Sequence, residues 1–398
     1  MWDKIKFISQ KYLIIGINFL LQFVLFRRFD VQTAGMLNYG RTLFQYFEYS
    51  NIGLRNTIDR RQFRDDNAVA SFIASSRTIN LLIALAMALV VFCFEFSYWT
   101  FLFLLCGVFY AYLFYEKVYL RNIHETGKYV RVSFIFDLVP VIFLTIGVCT
   151  GSLLYAGLLF LTGYLVLFIW FLFRGSLRSR FVVDVRYMKS IFRKNLNEGF
   201  YLFLSTFLYF ILLSGDRFFL KQFFGYEVVA QVSFAMFFFN AFSPLPAALI
   251  EIRMKPLLTT ASRKEFIHFF RYILLMTLAF IGVLFVAGPF VIHVFFSKYA
   301  PISGFVNYYS LLLIPHVLFQ VTFLVLFRRG LQRVLFYLLS AAVVLYLSLL
   351  ATLGAFITVS PLMLIWTAKI IVNIFLAGSI IYVLARRESF RILSIISK

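Results

Sequence analysis

Three cations and three acids stand inside stretches of this sequence that are otherwise long and apolar enough to cross a bilayer. They are Arg41, Arg217, Lys369, Glu48, Asp137 and Asp216. Each such charge costs about 2.5–3.5 kcal/mol on insertion scales, so it is retained where it meets a partner, water or a cargo. The chemistry open to the six is electrostatic. A guanidinium or ammonium can hold a phosphate, and a carboxylate can take up and release a proton. The sequence offers no nucleophile with an adjacent base, no phosphate-cradling loop and no metal-ligand spacing. The expectation is therefore a protein without cofactor, metal or ATP site, and not an enzyme.

The second apolar stretch carries the most information. Asn38, Arg41, Gln45, Glu48, Asn51 and Arg55 follow one another three or four residues apart, which places all six on one helical face. Such a stripe has to line water, a cavity or another polar helix. Arg41 and Glu48 would stand about 10.5 Å apart along the axis. The stripe reads either as a cavity wall, where Arg41 and Gln45 meet an anionic cargo and Glu48 tunes or titrates, or as an interhelical hydrogen-bond seam.

Elsewhere the candidates are single. Arg217 is a possible cargo contact, and in the first stretch Asn18 and Gln22 share a face. Asp216 points about 100° away from Arg217, towards the side of Tyr209 and Ser205. Lys369 lies too deep to snorkel; it either contacts cargo or pairs with an acid of its own half. Asp137 precedes Pro140 by three residues and reads as a proton site or as the partner of a neighbouring helix. Glu48, Asp137 and Asp216 are the candidates for ion coupling.

Composition dictates the elements that must hold these residues. The 398-residue chain is 62% hydrophobic, 20% aromatic and only 14% charged. A soluble protein runs at about 45–50% apolar and about 25% charged, and a soluble fold here would expose large apolar patches. A soluble enzyme, a disordered chain and a secreted disulfide scaffold are excluded. The three cysteines, Cys93, Cys106 and Cys149, fall in apolar runs and read as small filler. Stretches of about 20 apolar residues lie near 9–26, 34–55, 78–97, 98–118, 132–151, 153–173, 199–220, 226–250, 268–295, 303–327, 334–357 and 361–385. The reading is an all-α polytopic membrane protein of twelve spans. The first is retained rather than cleaved, since Arg27 and Arg28 follow it instead of a small-residue cleavage site.

Charge between the spans sets the orientation. The net charge of +21 suggests nucleic acid at first sight, but its location argues otherwise. With the N-terminus cytoplasmic, the inside segments hold 31 of the 38 Lys and Arg, and the outside holds Arg27, Arg28, Lys221 and Lys298. That bias is the positive-inside pattern, with both termini cytoplasmic. The outside connections are too short for an external catalytic domain, which counts against a membrane-embedded glycosyltransferase or polymerase.

An internal repeat divides the chain into an N-terminal lobe (1–173), a basic cytoplasmic linker (174–198) and a C-terminal lobe (199–398). At an offset of 195, Leu25-Phe26-Arg27-Arg28-Phe29-Asp30 pairs with Leu220-Lys221-Gln222-Phe223-Phe224-Gly225, Gly35 with Ala230, and Gln22 with Arg217. Six spans per half make the repeat parallel, and transporters often place their substrate site between such repeats.

Two segments carry a family resemblance. SGDRFFLKQFFGYEVVAQVSFA (214–235) and RRFDVQTAGMLNYGRTLFQYFEYSNIGLRNTIDRR (27–61) resemble polysaccharide flippases of the Wzx O-antigen and capsule type. These share a superfamily with lipid II flippases and multidrug and toxin extruders. The resemblance covers the whole chain by span count and length, and it is motif-level only at these two segments. It implies two six-helix lobes around a central cavity open alternately to each face. It also implies undecaprenyl-diphosphate-linked oligosaccharide as cargo, a bacterial inner-membrane location, and polysaccharide polymerase and chain-length machinery as partners. An organic-cation extruder of the same superfamily is the competing reading. Open cations in the cavity favour diphosphate, and open acids favour organic cations.

Overall fold

The computed structural model describes residues 2–55, 58, 66–122, 126–174, 189–193, 199–243, 263–328, 331–356 and 360–386. These residues form helices and short turns, with no strand among them. The chain falls into two units, Met1–Phe207 and Leu208–Lys398. Nine helical segments among the described residues are long and apolar enough to cross a membrane, and the chain is a multi-pass membrane protein. Each of the twelve expected stretches overlaps a helix.

The first unit contains α1 (Trp2–Arg28), α2 (Val31–Tyr46), α3 (Asp66–Phe94), α4 (Tyr98–Asn122), α5 (Thr126–Cys149) and α6 (Leu153–Arg174), and it ends within α7 (Phe200–Phe210). Between α1 and α2 the Asp30 carboxylate accepts from Thr33 N at 2.9 Å, an N-cap that satisfies a donor the first helical turn leaves open. The α5–α6 contact is close because glycines face it: a Cβ on Gly147 would lie 2.6 Å from Ala156 Cα. Such small-residue contacts replace hydrophobic driving force between helices in lipid. An aromatic cluster fills the centre, with the Phe44 ring 5.4, 5.2 and 5.6 Å from those of Tyr110, Phe160 and Tyr164.

Three sequence expectations change here. The second stretch is not one helix over 34–55: α2 stops at Tyr46, a 3-10 turn follows at Phe47–Tyr49, and Ile52 (φ 42) and Gly53 (φ 82) turn left-handed. The cause is Asn51, whose side chain donates to Glu48 O at 2.6 Å and accepts from Gly53 N at 3.0 Å, competing with the helical ladder. The third stretch begins earlier than 78, because α3 starts at Asp66. The fourth runs on to Asn122. Arg77, Glu116 and Lys117, expected in inside connections, therefore stand on helices.

The second unit contains the end of α7, a π turn at Ile211–Gly215, and α8 (Arg217–Phe242). Then come α9 (Arg263–Phe295), a 3-10 turn (Ser297–Ile302), α10 (Ser303–Ser310), α11 (Leu313–Arg328), α12 (Gln332–Phe356) and α13 (Pro361–Arg386). Gly225 breaks α8 with φ 81 and ψ −179. At the offset of 195 that break pairs with Asp30, where α1 gives way to α2. The expected tenth span is interrupted at Leu311–Leu312. Pro315 explains this, since proline has no N–H and its ring crowds the carbonyl four residues back. Pro289 sits inside α9, whereas Pro244 and Pro246 lie outside the described residues.

Candidate functional site

In the first unit, the short turn after α2 presents Glu48. Its two flanks are anchored. Phe47 is buried against Gly107 of α4, where any side chain would collide with the phenyl ring. Ser50 donates to Asn80 Oδ1 at 2.7 Å, and Asn80 of α3 donates to the Ala111 carbonyl of α4 at 2.7 Å. Glu48 itself is exposed, with no partner for its carboxylate among the described residues. Lys117, Asp137 and Arg55 are close enough to act on it electrostatically.

Lys117 and Asp137 are joined across α4 and α5. The ammonium lies 2.9 and 3.1 Å from the two carboxylate oxygens and 4.8 Å from the Phe136 ring centroid, and Ser133 Oγ donates to Asp137 Oδ2 at 3.5 Å. Of the two readings left open for Asp137, the geometry gives it a helix partner. Deeper in the fold, Arg77 of α3 meets Glu116 of α4 at 3.5 Å, with both side chains buried. The Arg77 guanidinium lies over Tyr112 at 4.7 Å.

The rest of the expected stripe divides. Arg41 Nη2 donates to Asn18 Oδ1 at 3.4 Å, so two of the expected residues meet across α1 and α2. Asn38 is buried and spends its side chain on its own helix, at Ala34 O. Asn51 serves the turn described above. The carbonyl oxygens of Gln22 and Gln45 are buried without a hydrogen-bond partner among the described residues.

The second unit seals its charges. Asp216 is 0% exposed, Lys369 4% and Arg217 8%. Lys369 Nζ lies 2.7 Å from Asp216 Oδ2 and donates to the carbonyls of Leu212 at 2.9 Å and Leu213 at 3.2 Å. Tyr346 donates to the same Asp216 oxygen at 2.7 Å. Lys369 is thus paired with an acid of its own half, and Asp216 turns towards α12 and α13 rather than towards Tyr209. Arg217 donates to Met236 Sδ at 3.4 Å.

Sequence reasoning did not single out His316. It is buried on α11, 2.6 Å from the Tyr209 hydroxyl through Nδ1 and 2.9 Å from Gln320 Nε2 through its other nitrogen. Tyr209 is 107 positions away, so no spacing rule reaches it. Arg77, Glu116 and Lys117 were missed for a different reason. They close polar runs at span ends, where a residue of a loop and a residue of a buried last turn look alike. Among the described residues no cluster of His, Cys, Asp or Glu is built to hold a metal.

Solved structures with a similar arrangement of helices include transporters. An inward-facing multidrug resistance MATE family transporter of the MOP superfamily superposes with a TM-score of 0.67 at 12% identity, over 94% of this chain and 96% of that one. The lipid II flippase MurJ in an inward closed conformation gives 0.67 at 12% identity, over 96% and 87%. The chain has the fold of MATE and MurJ. An outward-facing MATE transporter superposes less well, with a TM-score of 0.52 at 16% identity over 96% and 90%. No protein-family model and no curated protein matches the sequence. At these identities the likeness establishes the fold alone.

Proposed function

We propose that this protein is a flippase. On this reading it moves undecaprenyl-diphosphate-linked oligosaccharide units of O-antigen or capsule across the bacterial inner membrane by alternating access. It has twelve spans in two six-helix lobes, both termini are cytoplasmic, and polymerase and chain-length machinery receive the product. The structural neighbour MurJ is a lipid II flippase, which supports a lipid-linked cargo. The neighbouring MATE structures are multidrug transporters, which keeps the organic-cation extruder as the competitor.

One observation carries the choice. Two of the three intramembrane acids are each held by a lysine, Asp137 by Lys117 at 2.9 Å and Asp216 by Lys369 at 2.7 Å. A cavity for organic cations needs open carboxylates, and only Glu48 keeps its carboxylate away from such a pair. Arg77 and Glu116 likewise hold each other at 3.5 Å, so that carboxylate is not open to an organic cation either. The membrane potential then drives cargo outward by about 2.3 kcal/mol per charge per 100 mV.

The test is transport in proteoliposomes. Arg41→Ala removes one charge-assisted contact worth about 1.5–3 kcal/mol, which is a loss of about 10- to 150-fold in rate or affinity. Inorganic pyrophosphate is expected to compete with cargo, and tetraphenylphosphonium is not. Competition by the organic cation alone would hand the case to the extruder.

A further inference from the structure

We propose that the break in α7 is a binding site for an ammonium-sized monovalent cation, and that Lys369 fills it with a tethered ammonium. The donor set is the first argument. The π turn at Ile211–Gly215 withdraws the carbonyls of Leu212 and Leu213 from the helical ladder and turns them on Lys369 Nζ, at 2.9 and 3.2 Å. Asp216 Oδ2 supplies the third oxygen at 2.7 Å. An ammonium has three N–H donors and no acceptor, and these three oxygens, with the Tyr309 side chain beside them, surround it with acceptors. Broken spans whose freed carbonyls coordinate a cation are a recurring device of membrane transporters.

Size and charge fix the class of ion. Oxygens at 2.7, 2.9 and 3.2 Å stand too far off for Mg²⁺, which binds at about 2.0–2.1 Å, or Ca²⁺, at about 2.3–2.6 Å. One carboxylate balances one positive charge, not two. The aromatic rings of Tyr309 and Tyr346 lie 5.9 and 5.6 Å from the nitrogen, a distance at which ring faces attract cations. Ammonium, methylammonium, potassium and rubidium meet these requirements.

The cage is held independently of its occupant. Tyr346 of α12 orients the Asp216 carboxylate through its own 2.7 Å bond, and Asn373 donates to the Lys369 carbonyl at 2.7 Å. The other oxygen of Asp216, Oδ1, is buried without a hydrogen-bond partner among the described residues, so the same carboxylate has capacity for a free ion. Because Asp216 and Lys369 are both buried, the tethered ammonium is screened from exchange with ions in solution. The second unit consequently needs no external cation at this break. The inference concerns this cage alone and does not depend on the cargo.

The test uses the purified full-length chain in nanodiscs. The Tm of the wild type is expected to be the same in choline, sodium, ammonium, methylammonium and rubidium chlorides at equal ionic strength. Lys369→Ala should melt lower in choline and recover saturably with ammonium, methylammonium and rubidium, more than with sodium. Adding Asp216→Asn should abolish that recovery. Radiolabelled rubidium should bind Lys369→Ala and not the wild type. If Lys369→Ala does not fold, Lys369→Gln keeps the side-chain volume and should show the same cation-specific rise. A folded Lys369 variant whose Tm and rubidium binding do not distinguish ammonium-sized ions from choline overturns the proposal.

Discussion

Removing either member of the Arg77–Glu116 pair should destabilise the first unit far more than removing both. The closest N···O distance is 3.5 Å, and the side chains are only 3% and 5% exposed. At an effective dielectric constant near 20, two unit charges at that distance attract by about 4–5 kcal/mol. Little water is at hand to solvate a survivor. Breaking such a pair from one side costs about 3–5 kcal/mol, whereas replacing both members with apolar groups of similar volume is often neutral or stabilising. In a unit of about 200 residues each kcal/mol moves Tm by about 2–4 °C, so Arg77→Met or Glu116→Met alone should lower it by about 6–20 °C. Arg77→Met/Glu116→Met should recover most of that loss. Arg77→Lys should stay well below wild type, because an ammonium cannot reproduce the planar stacking over Tyr112. The assay is thermal unfolding of the four variants in one detergent, with the cycle closed at a single temperature. If the double variant loses the sum of the two singles, the groups do not act as a buried pair and the reasoning fails.

Three further outcomes follow from local geometry. Gly225→Ala should cost about 1–3 kcal/mol and Gly225→Asn no less, because φ 81 with ψ −179 belongs to a region essentially reserved for glycine; the Tm of both variants measures this. Gly107→Ala should push the Phe47 ring out of its notch, at about 1–3 kcal/mol for overpacking, and change the maleimide reactivity of a Glu48→Cys reporter. Asp30→Ala should weaken the start of α2 by about 0.5–2 kcal/mol. Hydrogen bonds from Thr33 hold the Asp30 carboxyl below its ordinary value of 3.8. Its contribution is therefore present above that value and lost as pH falls through the lower folded one, and a Tm–pH comparison with Asp30→Asn should show the gap closing only in acid.

Hydropathy made the helices legible because about 20 apolar residues in a row have one stable use. The turn after α1 and the break at Gly225 fall at positions the offset of 195 pairs, Asp30 and Gly225, and both are residue types that chain reversal favours. What the periodicity could not show was where a helix stops. The stripe from Asn38 to Arg55 keeps helical spacing throughout, yet Asn51 folds its side chain back on the main chain and ends it. Nor could spacing show pairing. Lys117 and Asp137 are 20 positions apart and Lys369 and Leu212 157 apart, and contacts between helices leave no periodic trace in a single sequence. The π turn that exposes the carbonyls of Leu212 and Leu213 lies in Ile-Leu-Leu-Ser-Gly, which reads as ordinary apolar helix.

Burial separates the six intramembrane charges into two kinds of work. In the first unit Glu48 is exposed, Arg41 and Asp137 are partly exposed, and the groups around them come from α1, α2, α4 and α5. In the second unit Asp216, Arg217 and Lys369 are all less than 9% exposed. A cargo headgroup binds what it can reach, so on the proposed function the phosphate contacts belong to the first unit and the second supplies rigidity. Neutral substitution is expected to divide along the same line. Changes at Arg41 or Glu48 should alter transport at nearly constant Tm, because a partly hydrated charge loses little stability when removed. Changes at Asp216 or Lys369 should lower Tm first and transport only through it, because each leaves a buried partner uncompensated. Transport lost at wild-type Tm in Lys369→Met would put that ammonium within reach of cargo in another conformation, and the division by burial would no longer hold.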